Sequence, residues 1–202
     1  MKYPGKINNL IEFYRSLPGI GEKNAIRLAL ATYDMSSDKL FEISKDLQDL
    51  KTSVKKCSVC GNISENDICD ICQDPNRDHN TICVLEDFKS VFSFEKSNIF
   101  NGTYHVLGGL ISPMDNINPD NLNIESLVNR VKKIQHPEVI IALTSSIEGE
   151  MTMLYLKKIL SEYNVKVTRL SYGVPLGMNL DYMDMLSLNK ALEDRREIED
   201  ES

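Results

Sequence analysis

The sequence predicts a multidomain α/β protein, in which a small helical domain and a compact cysteine module precede a mainly parallel sheet covered by helices. Three observations carry this. Apolar residues before position 55 recur at helical steps. Four of the five cysteines fall in Cys57-x2-Cys60-x8-Cys69-x2-Cys72. After position 80, short apolar runs alternate with helical patterns. The expected boundaries are 1–54 for the helical domain, 55–76 for the cysteine module, 79–175 for the α/β domain and 176–202 for a C-terminal segment with an acidic tail.

In the helical domain, Ile7, Leu10, Ile11 and Tyr14 predict one helix, and Ala25, Leu28 and Ala29 predict a second. Between them, Leu17-Pro18-Gly19-Ile20-Gly21, followed by Lys23 and Arg27, is a helix-hairpin-helix signature. Its two glycines permit positive backbone dihedrals, so that amide N–H groups at the start of the second helix can converge on one phosphate oxygen. Lys23 and Arg27 stand one turn apart on one face, placed to meet the same nucleic-acid backbone without reading its sequence. The competing reading is a hairpin whose glycine turn serves packing alone. Leu40, Ile43, Leu47, Leu50 and Val54 predict a third helix, capped by Ser36 or Ser37. It is expected to close the domain's core, with a dimer seam as the alternative.

The cysteine spacing predicts a structural zinc site. Each Cys-x2-Cys pair sets two thiolates on one turn, and two such turns supply the four soft ligands of a tetrahedral Zn2+. Such a site has no open position for water or substrate. The alternative is a pair of disulfides. The chain opens on no secretory signal, and a reducing cytosol favours the metal. Cys83, in the apolar run Ile82-Cys83-Val84-Leu85, is expected in the core.

Past a polar linker at Asp74 to Asp78, the strands expected are Thr81 to Leu85, Tyr104 to Leu107, Glu138 to Leu143 and Val165 to Leu170. Helices carry Ile124, Leu127, Val131 and Ile134, and then Met153, Leu156 and Leu160. Sites in such sheets lie at the carboxyl ends of the strands. There stand Glu86-Asp87, Gly108-Gly109 and Glu148-Gly149-Glu150. Glu148 and Glu150 serve equally well as charges at a helix start. His79, His105 and His136 form no catalytic cluster. Phe88, Phe92 and Phe94 suit core or subunit contacts better than base stacking.

An acid ending the first strand, with a later Glu-Gly-Glu opening a helix, resembles the Toprim domain of topoisomerases and primases. The order of hairpin, four-cysteine module and α/β domain is narrower, and resembles the RecR family of bacterial recombination mediators. Supporting strings are Tyr104-His105-Val106-Leu107-Gly108-Gly109-x2-Ser112-Pro113-x-Asp115 and Gly173-Val174-Pro175-Leu176-Gly177. The resemblance covers nearly the whole chain. It implies DNA repair by loading recombinase rather than catalysis, a ring-like homotetramer that encircles DNA, and RecO and RecF as partners. The acids Glu86, Glu148 and Glu150 would then meet a partner or hold a weak Mg2+.

Two departures from the pattern stand out. A catalytic Toprim domain needs an Asp-x-Asp pair for Mg2+, and Thr144-Ser145-Ser146 occupies its place here. Met178-Asn179-Leu180 replaces a glycine and an acid. The domain is therefore read as having no catalytic residues, against the alternative of a Mg2+-dependent nuclease or topoisomerase-like enzyme. A third possibility is a scaffold that binds only proteins.

Composition sets the remaining bounds. With 202 residues and a formal charge of −7, the net charge argues only weakly against a general nucleic-acid binder, and its distribution matters more, since Lys and Arg outnumber Asp and Glu in the first thirty positions. Glu193, Asp194, Glu197, Glu199, Asp200 and Glu201 crowd the end. The apolar run Val139 to Leu143 is too short to span a bilayer, so a soluble, cytoplasmic, nucleoid-associated protein is expected, without membrane contact.

Overall fold

The structure, a computed structural model, describes residues 3–171, 173–174 and 177–195. It divides into two compact units, Met1–Val54 and Lys55–Ser202. In the first, α1 (Gly5–Arg15) and α2 (Glu22–Tyr33) form the expected hairpin. Ile11, Ala25 and Ala29 are its buried centre, flanked by Ile7, Leu10, Tyr14, Ile20 and Ile26. The hydroxyls of Tyr14 and Thr32 tie the helices together at 2.7 Å. The third helix, α3 (Ser37–Ser53), is capped by Ser36, whose Oγ accepts from Lys39 N.

The packing of α3 departs from expectation, because it buries no residue and leaves Phe41, Leu47 and Leu50 exposed. The cause lies in the hairpin. Its two buried alanines let α1 and α2 approach closely, so their core closes without a third helix.

The second unit opens with a two-residue antiparallel ribbon, β1 (Lys55–Lys56) against β2 (Ile63–Ser64), and a single turn, α4 (Asp70–Gln73). There follow β3 (Asp78–Leu85), α5 (Phe88–Ser97), β4 (Gly102–Val106), α6 (Ile124–Val131), β5 (Glu138–Ala142), α7 (Ile147–Leu160) and β6 (Lys166–Arg169). A 3-10 turn over Leu180–Tyr182 leads to α8 (Met185–Glu193). The four long strands form one parallel sheet in the order β4-β3-β5-β6.

Alternation along β3 explains why the sheet is covered on both faces. Ile82 and Val84 face a core built with Leu127, Val131, Val139, Ile141, Leu156 and Leu160 from α6, β5 and α7. Cys83 and Leu85 face the opposite way, onto Val91, Tyr104 and Val106. A run buried on both sides reads as continuously apolar. Cys83 is accordingly core, its thiol pushed up to about 12 by burial.

The polar stretch at residues 74–78 is a joint rather than a linker. Asp78 already belongs to β3, and Arg77 grips Glu95 with both terminal nitrogens. Tyr104 Oη donates to the same carboxylate at 2.7 Å. The Arg77 hydrogen bond holds Glu95 below the usual carboxylate range.

His105 is wholly buried, and its Nε2 meets the Asn123 carbonyl at 2.7 Å while Nδ1 has no partner. Burial lowers its pKa to about 4. An ordinary histidine in the unfolded chain takes up a proton near 6.5, so stability is intact above that pH and declines as pH falls toward 4. His105→Gln removes this titration. Urea unfolding of zinc-loaded protein is expected to show the wild type losing roughly 1 kcal/mol more than the variant between pH 6.5 and 5.5, a range in which the thiolates keep their metal. Equal losses would contradict the assignment.

Candidate metal centre and nucleic-acid interface

The cysteine module has almost no apolar core apart from its sulfurs. Cys57, Cys60 and Cys69 are buried, Cys72 is half-buried, and Val59, Ile68 and Ile71 pack beside them. All four Sγ atoms lie within 4.8 Å of one another. Tetrahedral zinc with bonds of about 2.3 Å has sulfur–sulfur edges of about 3.8 Å. Cys60 and Cys69 stand 3.6 Å apart. Backbone donors support the set: Cys69 N–H points at Cys57 Sγ at 3.3 Å. The hydrogen bond between Cys60 and Cys69 raises the first thiol and lowers the second. A cation that releases the remaining protons completes the cluster. The residues fit a structural zinc, which when bound supplies cross-linking and no open coordination position.

The knuckle formed by Cys57 to Asn62 also seals the sheet. Val106 N–H, on the outer side of edge strand β4, donates to the Cys60 carbonyl at 2.7 Å. Gly61 follows with φ of 75°, and a Cβ there would stand 2.7 Å from Asn123 Nδ2 and 2.9 Å from the Val106 carbonyl. Only glycine permits that approach. Asn123 Nδ2 donates to the Val106 carbonyl at 3.1 Å, and Arg130 donates to the Tyr104 carbonyl at 2.7 Å and to Thr103 Oγ1. Sequence reasoning missed Asn123, Arg130 and Arg77. A polar residue flanking the apolar stripe of α6 was the available signal for Arg130.

In the hairpin, the two glycines differ. Gly19 takes φ of 78°, but Gly21 is extended at φ of −80° and serves as N-cap of α2. The expected positive dihedral is therefore confined to Gly19. Gly21 offers α2 no side-chain cap, so the helix's first amide donors remain available to an anion. Lys23 and Arg27 are exposed, on the face opposite buried Ala25 and Ala29.

The acids sit where the sheet's outgoing connections diverge, beyond the ends of neighbouring strands β3 and β5. Thr144 Oγ1 donates to Glu86 Oε2 at 2.6 Å across this crevice. Ser146 caps α7 through Gly149 N–H, and a Cβ on Gly149 would fall 1.9 Å from the Thr144 carbonyl. That approach explains the glycine between Glu148 and Glu150. Glu150 meets Lys190 of α8 at 2.5 Å, and Arg169 meets Asp194 at 2.6 Å. The cavity here, bordered by Thr144, Gly149 and Glu150, measures about 70 Å3. Among the described residues, the cysteines are the one group of three or more metal-binding side chains close enough to share an ion.

His79 Nε2 pairs with the Asp74 carbonyl and His136 Nδ1 with Asn164, so the three histidines lie apart. Phe94 packs in the core with Phe100 and Tyr104, whereas Phe88 and Phe92 are exposed. Pro175 and Leu176 of the late motif, and the tail acids Glu197, Glu199, Asp200 and Glu201, lie outside the described residues. No helix among the described residues is long and apolar enough to cross a membrane.

Comparison with known proteins places these features together. The chain matches the RecR four-cysteine zinc finger domain over residues 54–74, the Toprim domain over 80–171 and the RecR C-terminal domain over 173–196. It is 46% identical to the recombination protein RecR of Lactobacillus johnsonii over 199 residues, which is 98% of this chain and 100% of that relative. It is likewise 46% identical to that of Staphylococcus aureus strain JH9 over 198 residues, again 98% and 100% of the two chains.

Removing zinc with a chelator is expected to accelerate hydrogen exchange at Val106 and Tyr104, because the knuckle that covers β4 loses its cross-link. Amides of α1 and α2 should keep their protection. Unchanged exchange at Val106 would show that the knuckle holds its place without metal.

Proposed function

Because the chain belongs to the RecR family of recombination proteins, with a role in DNA recombination and repair, we propose that it acts as a non-enzymatic mediator whose helical hairpin grips the DNA backbone without sequence preference. One observation carries the reading. The N-terminus of α2 has no side-chain cap, follows the left-handed Gly19, and exposes Lys23 and Arg27 one turn apart. Backbone donors at a positive helix end and two cations on the adjoining face suit phosphate oxygens.

One such contact is weak, and several held in one ring raise the effective concentration of each next contact. The exposed apolar residues of α3 support assembly of copies into a homotetramer that encircles DNA. RecO and RecF are the partners that such a mediator serves in loading recombinase. The acids Glu86, Glu148 and Glu150 offer a surface for a basic partner. A nucleoid-associated place in the cytoplasm follows from this role.

The enzyme alternative is disfavoured by chemistry. Thr144 and Ser146 stand where metal-binding aspartates would be, one bonded to Glu86 and the other capping α7. About 70 Å3 beside Glu150 is small against the roughly 300–1,000 Å3 of ordinary ligand pockets.

In a salt series on duplex DNA with Mg2+ present, Lys23→Ala with Arg27→Ala is expected to weaken binding at least tenfold and to reduce the salt slope by about 2. Unchanged affinity and slope would remove the hairpin from the DNA contact. DNA cleavage lost in Glu86→Gln would make the protein an enzyme.

A further inference from the structure

Two adjoining hollows, of about 650 and 550 Å3, share Ser58, Leu122, Asn123 and Ser126 and so form one trough between the cysteine module and α6. Phe88 lines one end together with Lys56, and Arg130 and Lys133 line the other. Phe88 and Phe92 lie edge to face with centroids 6.5 Å apart, and both are exposed. Lys56 reaches over the end of β4, where a Cβ on Gly108 would stand 4.0 Å from its Nζ.

We propose that this trough is a second nucleic-acid site, which takes single-stranded DNA by stacking a base on Phe88, with Phe92 behind it, and by pairing the flanking phosphates with Lys56 and Lys133. The inference rests on the DNA-binding reading above and adds to it a site distinct from the hairpin. Base stacking on aromatic side chains beside cations is tolerant of sequence, and suits a mediator that acts on any exposed strand. The trough's acids are fewer than its cations. They are Glu125 and Asp87, and Asp87 is turned to its own helix, where Oδ1 accepts from Ser90 N–H and Oγ.

An extended peptide is the competing occupant, and the sheet edge argues against it. Peptides that add to an edge strand use its free backbone groups. On β4 the Val106 N–H is held by Cys60, the Val106 carbonyl by Asn123 and the Tyr104 carbonyl by Arg130. Besides aliphatic walls from Val59, Ile63 and Leu122, the trough offers recognition an aromatic face, amide and hydroxyl side chains, and cations.

The test measures zinc-loaded protein against an oligothymidylate and against a blunt duplex of equal length. Phe88→Ala with Phe92→Ala, and separately Lys56→Ala, are expected to weaken oligothymidylate binding tenfold or more while duplex binding stays intact. Phe88→Tyr keeps a stacking face and should retain affinity, whereas Phe88→Leu keeps the bulk and should lose it. Oligothymidylate binding that survives all of these changes overturns the site. So does a change in oligomeric mass in the phenylalanine variants, which would make the pair a contact between copies, or binding restored equally by leucine and tyrosine. Failure of the wild type to bind either DNA would defeat the mediator reading itself, a result distinct from loss of the trough alone.

Discussion

The cross-link of four thiolates through one cation is the constraint on which the second unit depends. The module between β1 and α4 has too few apolar side chains to fold by burial, since its buried centre is the cysteines themselves. Zinc fixes the knuckle, and the knuckle presents the Cys60 carbonyl and the bare Gly61 to β4. An edge strand would otherwise offer unpaired backbone groups to any passing chain. Metal binding therefore sets more than a local turn: it fixes one wall of the trough and protects the sheet that carries the acids.

Two of the glycine-dependent approaches in the second unit have opposite consequences. Gly61 lets the knuckle press on the sheet, which stabilises a rigid platform. Gly149 lets α7 begin against the Thr144 carbonyl, which places Glu148 and Glu150 at the mouth of the crevice. Carboxylates in that position suit metal chemistry when aspartates from the loop after β5 join them. Here Thr144 donates a hydrogen bond to Glu86 instead, and Lys190 reaches Glu150.

Much of this was legible in the sequence because the signals were local. Cysteine spacing, the Pro-Gly-Ile-Gly turn and the continuous apolar run of Ile82 to Leu85 each depend on residues a few positions apart. Relations across long separations were not legible. The apolar repeat of α3 predicted a helix correctly, yet its packing depended on how closely Ala25 and Ala29 draw α1 and α2 together. Arg77 looked like part of a linker because its partner, Glu95, lies beyond a strand. The exposure of Phe88 and Phe92, against the burial of Phe94, depended on which side of α5 faces the sheet. Gly21 could not be told from Gly19 by composition, although only the latter adopts a positive φ.

The central claim is that DNA meets the amide end of α2 and not the acidic crevice. Titrating a short duplex into isotope-labelled, zinc-loaded protein in the presence of Mg2+ and following backbone amide resonances addresses it most directly. The account predicts salt-sensitive shifts centred on Gly19 to Arg27, with the duplex recovered intact. Shifts centred instead on Glu86 and Thr144 to Glu150, or a cut duplex, would contradict it.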